Sequence, residues 1–163
     1  MAGKTTVMVP VTTDQLRAVA CNARLGGTLV GVAADEALAA EFGVEAGEEA
    51  EAAALQLADV LGLAAGRYSA TGEVVRRQVL VAEVAASQLV AAGETATVMP
   101  PLALADVLSF FTGECDAALA AAVRKLPLDQ AWPHPGVQDL LATAPLAWHD
   151  VAELDAWLDG AGA

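Results

Sequence analysis

The sequence predicts an α/β or α+β domain: a layered sheet of four to six strands with helices packed on it. Three observations carry that expectation. Short runs of Val, Leu and Ala recur between Gly and Pro residues, as buried strands do. Between them lie Ala-rich segments whose apolar residues fall at spacings of three and four, as on a helix face. The chain is 163 residues long and 56% hydrophobic but only 4% aromatic, enough to bury one core built mainly of aliphatic side chains.

The elements follow in order. Thr5–Val11 (TTVMVPV) alternates small apolar residues and carries Pro10 near its end, as a strand does. Thr12 with Gln15 three positions on is a capping-box pattern, so a helix is expected through Leu16 and Val19 to Arg24, stopped by Gly26-Gly27. Thr28–Ala33 (TLVGVA) reads as a second strand. Asp35-Glu36 places acids at the start of a helix over Ala37–Phe42, where the helix dipole favours them. After Gly43–Gly47 a longer helix is expected from Glu48 to Ala65, with Ala54, Leu57, Ala58 and Leu61 as its core stripe. Gly66–Gly72 reads as a loop and Val74–Ala82 as the clearest strand. A helix is expected through Val84–Ala92, closed by Gly93. Thr95–Met99 is a fourth strand, stopped by Pro100-Pro101, and Leu102–Asp106 a single turn. Val107–Phe111 (VLSFF) fits a strand or a helical continuation, with the strand preferred. Asp116–Lys125 has Leu119, Ala122 and Val123 on one helical face and Arg124-Lys125 at its end. Leu126–Pro135 is Pro-rich and irregular. Gln138–Leu141 suggests a turn or short helix, Leu146–Val151 a last strand and Ala152–Leu158 a terminal helical turn. The whole reads as one domain, residues 1–163, with Leu126–Ala163 a Trp-containing segment packed on the rest.

Composition excludes several classes. Eight Lys and Arg oppose 21 Asp and Glu, for a formal net charge of -13, the wrong sign for a chain that neutralises nucleic-acid phosphates. So apolar a chain offsets its ordering entropy, which excludes disorder. No apolar run reaches the length of a membrane span, and the opening residues lack the apolar region of a secretory signal, so a cytoplasmic protein is expected. The two cysteines, Cys21 and Cys115, are far apart with no CxxC spacing; small-hydrophobe packing is favoured for them over redox chemistry.

Chemistry-bearing motifs are sparse. Gly3-Lys4-Thr5 matches the tail of a phosphate-binding loop but precedes a strand rather than a helix, which removes the mechanism. Ser69, Ser87 and Ser109 sit in no nucleophile elbow. His149, Asp150 and Glu153 form the densest polar cluster; on a helix His149 and Glu153 share a face. With only two His in the chain, no metal site and no cofactor is expected, and the cluster reads as a polar strand end beside a helix cap. The acids Asp35, Glu36, Glu41, Glu45, Glu48, Glu49, Glu51 and Asp59 run without an intervening Lys or Arg. They read first as a solvated helix face, and alternatively as a docking surface for a basic partner centred on Glu41, Glu45, Glu48, Glu49 and Glu51. Arg76-Arg77 reads as an anion-binding pair or as a charge pair that guards a strand edge, with the guard preferred. Trp132, Trp148 and Trp157 all fall near the C-terminus, as a lid over the sheet or as an interface anchor.

The segments VMVPVTTDQLRAVA, TLVGVAADEALAAEFG, EEAEAAALQLADVLGLAA, RRQVLVAEV, TVMPPLALADVLSFF and LAWHDVAEL together resemble a family of uncharacterised actinobacterial proteins of about this length. Its members open with a V-Y-V-P-x-T strand, where this chain has Met8 in the Tyr position, and end in a Leu-Trp-Tyr segment, where it has Ala147-Trp148-His149. The resemblance implies a cytoplasmic single domain and supplies no mechanism or site residues.

Two functional readings follow. One is a non-enzymatic binding or regulatory module working through contacts with a protein partner or through self-association. The other is a small enzyme or ligand-binding protein with a pocket at the strand C-terminal ends near Pro10, Asp35 and Glu83, where open α/β sheets hold their ligands. Its polar groups would be Thr12, Thr13, Asp35, His149, Asp150 and Glu153.

Overall fold

The structure is a computed structural model that describes residues 3–21, 24–25, 29–92 and 96–161. Strand β1 (Lys4–Pro10) leads into helix α1 (Thr13–Ala20). Thr12 caps α1 as the sequence predicts: its hydroxyl accepts from the Gln15 N–H at 3.1 Å, and the Gln15 side chain accepts from the Thr12 N–H at 2.9 Å. Strand β2 (Leu29–Ala33) precedes α2 (Glu36–Phe42), where Asp35 accepts from the Leu38 N–H at 2.9 Å. Gly43, at φ 65°, takes the left-handed conformation that ends α2.

The long helix α3 (Glu48–Ala64) follows, then β3 (Ala70–Thr71), β4 (Val74–Ala85), β5 (Val90–Ala91), β6 (Ala96–Met99) and β7 (Val107–Asp116). The last segment holds α4 (Ala117–Val123), α5 (Leu128–Ala131), α6 (Pro135–Thr143), β8 (Ala147–Asp150) and α7 (Leu154–Ala161).

One eight-stranded sheet runs in the order β5-β6-β2-β1-β4-β7-β8, with β3 hairpinned onto β4. Every strand pair among the described residues is antiparallel. Since β2 and β4 both flank β1 antiparallel to it, they run parallel to each other, and α2 and α3 form the crossover between them. This is why the chain alternates strand and helix although no neighbouring strands are parallel.

Several expectations need correction. Among the described residues the sheet has eight strands, not four to six, because β3 and β5 are two-residue strands defined only by their partners. No helix forms over Val84–Ala92. Strand β4 continues to Ala85, since Val84 pairs with Thr5 and its side chain enters the core; a 3-10 turn at Ala86–Gln88 and β5 follow. Here the ladder overrides the helix propensity of Ala and Glu. Strand β7 runs five residues beyond Phe111 to Asp116, so the helix after it starts only at Ala117. The irregular stretch after Leu126 contains α5, and α6 starts at Pro135, where a proline fits the first helical turn. Gly26, Gly27 and Gly93, expected to end helices, and Thr28 and Thr95, expected to open strands, lie outside the described residues.

The sheet is covered on both faces. Val7, Val9, Leu80 and Phe110 pack under α1 and α7, against Leu16, Val19, Leu154 and Leu158. Met8, Val32, Val79 and Val81 point the other way, onto Leu38, Ala54 and Leu57 of α2 and α3. At one end of that second face, α4 and α6 close over Val75 and Cys115 through Val123, Val137 and Leu140.

Gly62 marks the tightest approach in this layer. A Cβ there would lie 2.5 Å from Cζ and 2.6 Å from the hydroxyl oxygen of Tyr68, and 2.8 Å from Cβ of Pro10. A mid-helix Gly-to-Ala change gains about 1 kcal/mol of helix propensity, whereas crowding a packed site costs about 1–3 kcal/mol. Gly62→Ala is therefore expected to lower the melting temperature, read by circular dichroism; a rise would show that Tyr68 yields freely.

Candidate functional site

The register of the sheet assembles an apolar groove at one corner of the α3-covered face. Met8 pairs with Val81, and Val81 with Ser109; one step along, Phe111 pairs with Trp148. Directly paired residues share a face, so these side chains form two neighbouring rows on the same side of the sheet. The N-terminal half of α3 supplies the opposite wall with Glu48, Glu51, Ala52 and Leu55. Between them lies a cleft of about 370 Å³. Helices α4 and α6 cover the far end of this face instead, around Val75 and Cys115.

Trp148 is 59% exposed. The other two tryptophans are packed: Trp132 meets Phe42 edge-on at 5.9 Å, and Trp157 meets Phe110 at 5.8 Å on the opposite sheet face. The C-terminal segment therefore covers both faces, and Trp148 alone of the three offers most of its ring to solvent. Glu48, Glu49 and Glu51 occupy the first turn of α3, where the helix dipole favours acids. Glu48 and Glu51 line the groove. Glu49 instead accepts from the Glu45 N–H at 2.8 Å, while Glu41 on α2 and Glu45 in the connecting loop are exposed outside the lining.

The remaining predicted site residues do not come together. Thr12 caps α1, and Thr13 accepts at 2.8 Å from the Gln78 side chain, both beyond the C-terminal end of β1. Asp35 caps α2 beside the other end of β1, where the Ala34 N–H donates to Thr6 O at 2.9 Å. Glu83 lies within β4, paired with Thr6 and 3.9 Å from Lys4. A pocket at strand C-terminal ends presumes parallel strands, and here antiparallel pairing sends successive ends to opposite sides.

His149, Asp150 and Glu153 are neighbours at the end of β8. Asp150 accepts from the Ala152 N–H at 2.9 Å and Glu153 returns to the Asp150 N–H at 2.9 Å, a capping box on the 3-10 turn Val151–Glu153. His149 stacks on Phe110 at 4.8 Å, pairs with the Thr112 hydroxyl at 2.8 Å and stands 4.0 Å from Glu153. Among the described residues, no group of three or more His, Cys, Asp or Glu side chains is placed to hold a metal ion.

A buried ionic network was invisible in the sequence reading. Asp59 on α3 and Arg77 on β4 are 0% and 1% exposed and meet at 2.5 Å. Arg77 also donates to Ala144 O at 2.5 Å and Glu114 O at 3.2 Å, and the Tyr68 hydroxyl donates to Asp59 at 3.1 Å. Two expectations fall: Asp59 belongs to no solvated face, and Arg77 guards no edge, because β4 lies between β1 and β7. The signal available was parity: adjacent Arg76 and Arg77 in a strand must point to opposite faces.

Burial pushes the Asp59 carboxyl above its usual range, with Arg77 and Tyr68 pulling the other way. Burial, then the Asp59 charge, holds the Tyr68 phenol well above 10. The native state therefore keeps a proton that the unfolded chain releases near pH 10, so stability falls as pH rises above about 10. The chain contains one tyrosine, so absorbance at 295 nm reads this group alone. The phenolate is expected to appear only as far-UV dichroism is lost; ionisation near pH 10 in folded protein would contradict the network. Cys115 is likewise pushed up to about 11, mainly by burial, while Cys21 is exposed and both thiols are free. A thiol reagent at pH 8 is expected to modify Cys21 rapidly and Cys115 only on unfolding.

A second cavity, of about 300 Å³, is lined by Gly62, Leu63, Tyr68, Val75, Ala120 and Arg124. Arg124 is the C-cap residue of α4, its backbone N–H donating to Ala120 O, and its guanidinium lies against Gly66. No helix among the described residues is long and apolar enough to cross a membrane.

Comparison with known proteins finds no match among curated proteins and none among solved structures. A family profile does match, over residues 5–158, nearly the whole sheet and both helical layers. The chain belongs to that family, described as a family of unknown function (DUF6912).

Proposed function

We propose that the chain is a cytoplasmic, non-enzymatic binding module that receives a segment of a partner protein in the groove beside Trp148. The observation that carries this reading is Trp148, 59% exposed over an apolar floor in a chain whose other tryptophans are packed. Exposed aromatic rings beside a concavity are the usual anchors of protein interfaces. Two independent sequence features, one of the C-terminal tryptophans and the acidic start of α3, meet at this one place. A pocket at the strand ends has less support, since Thr12 and Asp35 flank opposite ends of β1.

Selection from a displayed library of random peptides tests the proposal. The wild-type protein is expected to enrich a related set of sequences that Trp148→Ala no longer retains. No enrichment, or enrichment unaffected by Trp148→Ala, would overturn it.

A further inference from the structure

We infer that the segment taken by the groove is basic, with a lysine or arginine side chain running over the Trp148 indole and its charged head between Glu48 and Glu51. The inference rests on the groove being the binding face, and adds the chemistry of its occupant.

Charge complementarity is the first argument. The α3 wall presents Glu48 and Glu51 to a cleft whose other wall carries Trp148 and Phe111. Among the described residues no Lys, Arg or His of the chain pairs with either carboxylate. A cation held against an aromatic face with its head between carboxylates satisfies both walls at once, and its alkyl stem covers the apolar floor. An acidic segment would meet those carboxylates and a chain of net charge -13.

Ser109 adds a polar group on the groove floor that fits the same occupant. It lies on the groove floor beside Val81 and is only 7% exposed, yet its hydroxyl forms no hydrogen bond within the described chain. Among the described residues no buried side-chain oxygen is sealed from solvent without a partner, so this hydroxyl opens into the cleft it lines. This oxygen can accept from an incoming ammonium or guanidinium, which brings only donors. The site thus offers two carboxylates, one acceptor hydroxyl and an aromatic face to a single cationic side chain.

The test uses three synthetic peptides of about twelve residues that share one apolar pattern and carry Lys, Gln or Glu at the remaining positions. Binding is followed by fluorescence anisotropy with the full-length wild-type chain, with Glu48→Gln/Glu51→Gln and with Trp148→Ala. The Lys peptide is expected to bind wild type about tenfold more tightly than the Gln peptide, with the advantage largely lost in the double Gln variant and in high salt. The variants change exposed or rim side chains, and unchanged dichroism confirms that they fold. Equal binding of the Lys and Gln peptides, both lost with Trp148→Ala, would overturn the basic segment while leaving the groove as binding face. Preference for the Glu peptide would also overturn it. Binding of no peptide, or binding indifferent to Trp148→Ala, would overturn the groove itself.

Discussion

Asp59→Ala is expected to destabilise the fold by about 3–5 kcal/mol, the largest effect of any single substitution considered. The cost does not measure the worth of the ion pair. It arises because the Arg77 guanidinium would remain 1% exposed with only the carbonyls of Glu114 and Ala144 as partners. Two carbonyl dipoles do not offset the desolvation of a full charge. Replacing both groups by apolar residues of similar volume removes the buried charge and leaves only neutral groups without it, the Tyr68 hydroxyl and two carbonyls, so Asp59→Leu with Arg77→Met is expected to cost less than Asp59→Ala. Urea denaturation of the single and double variants separates the cases. A loss below about 1 kcal/mol for Asp59→Ala would show that water reaches the guanidinium. The double variant also loses a tether: Arg77 holds Ala144 just after α6, so amide exchange near that helix end should quicken.

Trp148→Ala is expected to do the opposite: little to stability and much to binding. The side chain is 59% exposed, and substitutions at such positions change stability by about 0.5 kcal/mol or less. An aromatic anchor at an interface contributes about 2 kcal/mol or more, roughly a thirtyfold loss of affinity on truncation. Trp157→Ala makes the control. That ring packs on Phe110 under α7, so its loss should lower the melting temperature while leaving the affinity of the folded fraction unchanged. If Trp148→Ala costs as much stability as Trp157→Ala, the ring is a piece of core and not a binding surface.

How much of this was legible follows from where each signal is stored. The caps at Thr12 and Asp35 were readable because capping needs only residues three positions apart. Strands β1, β2, β4 and β6 were readable from short runs of Val, Leu and Met. The Val84–Ala92 stretch was misread because the fate of VAEVA depends on its ladder with Lys4–Thr6, which lies almost eighty residues away in the chain. The antiparallel order was hidden for the same reason, since the crossover through α3 skips β1 and leaves a strand–helix–strand alternation in the sequence.

The groove was half legible. The acids of α3 and the C-terminal tryptophans each stood out, but their meeting depends on β8 pairing outside β7. Which tryptophan stays exposed was not legible, because Trp148 and His149 alternate across one short strand and only the register assigns their faces. Asp59 and Arg77 were masked by their neighbours. Asp59 closes an acidic run that is otherwise on the surface, and Arg77 sits beside Arg76, so each reads as one more surface charge until α3 is laid across β4.

The indole N–H signals show whether the groove between α3 and the β7–β8 corner is the binding face. The chain has three tryptophans, giving three side-chain resonances in a nitrogen–proton correlation spectrum, assignable with single Trp→Phe variants. Titration of the labelled protein with its best selected peptide is predicted to move the Trp148 indole signal, together with the amides of Leu55, Val81 and Ser109. The indole signal of Trp157, on the opposite sheet face, is predicted to stay in place. Movement of the Trp157 signal with a stationary Trp148 would contradict the account.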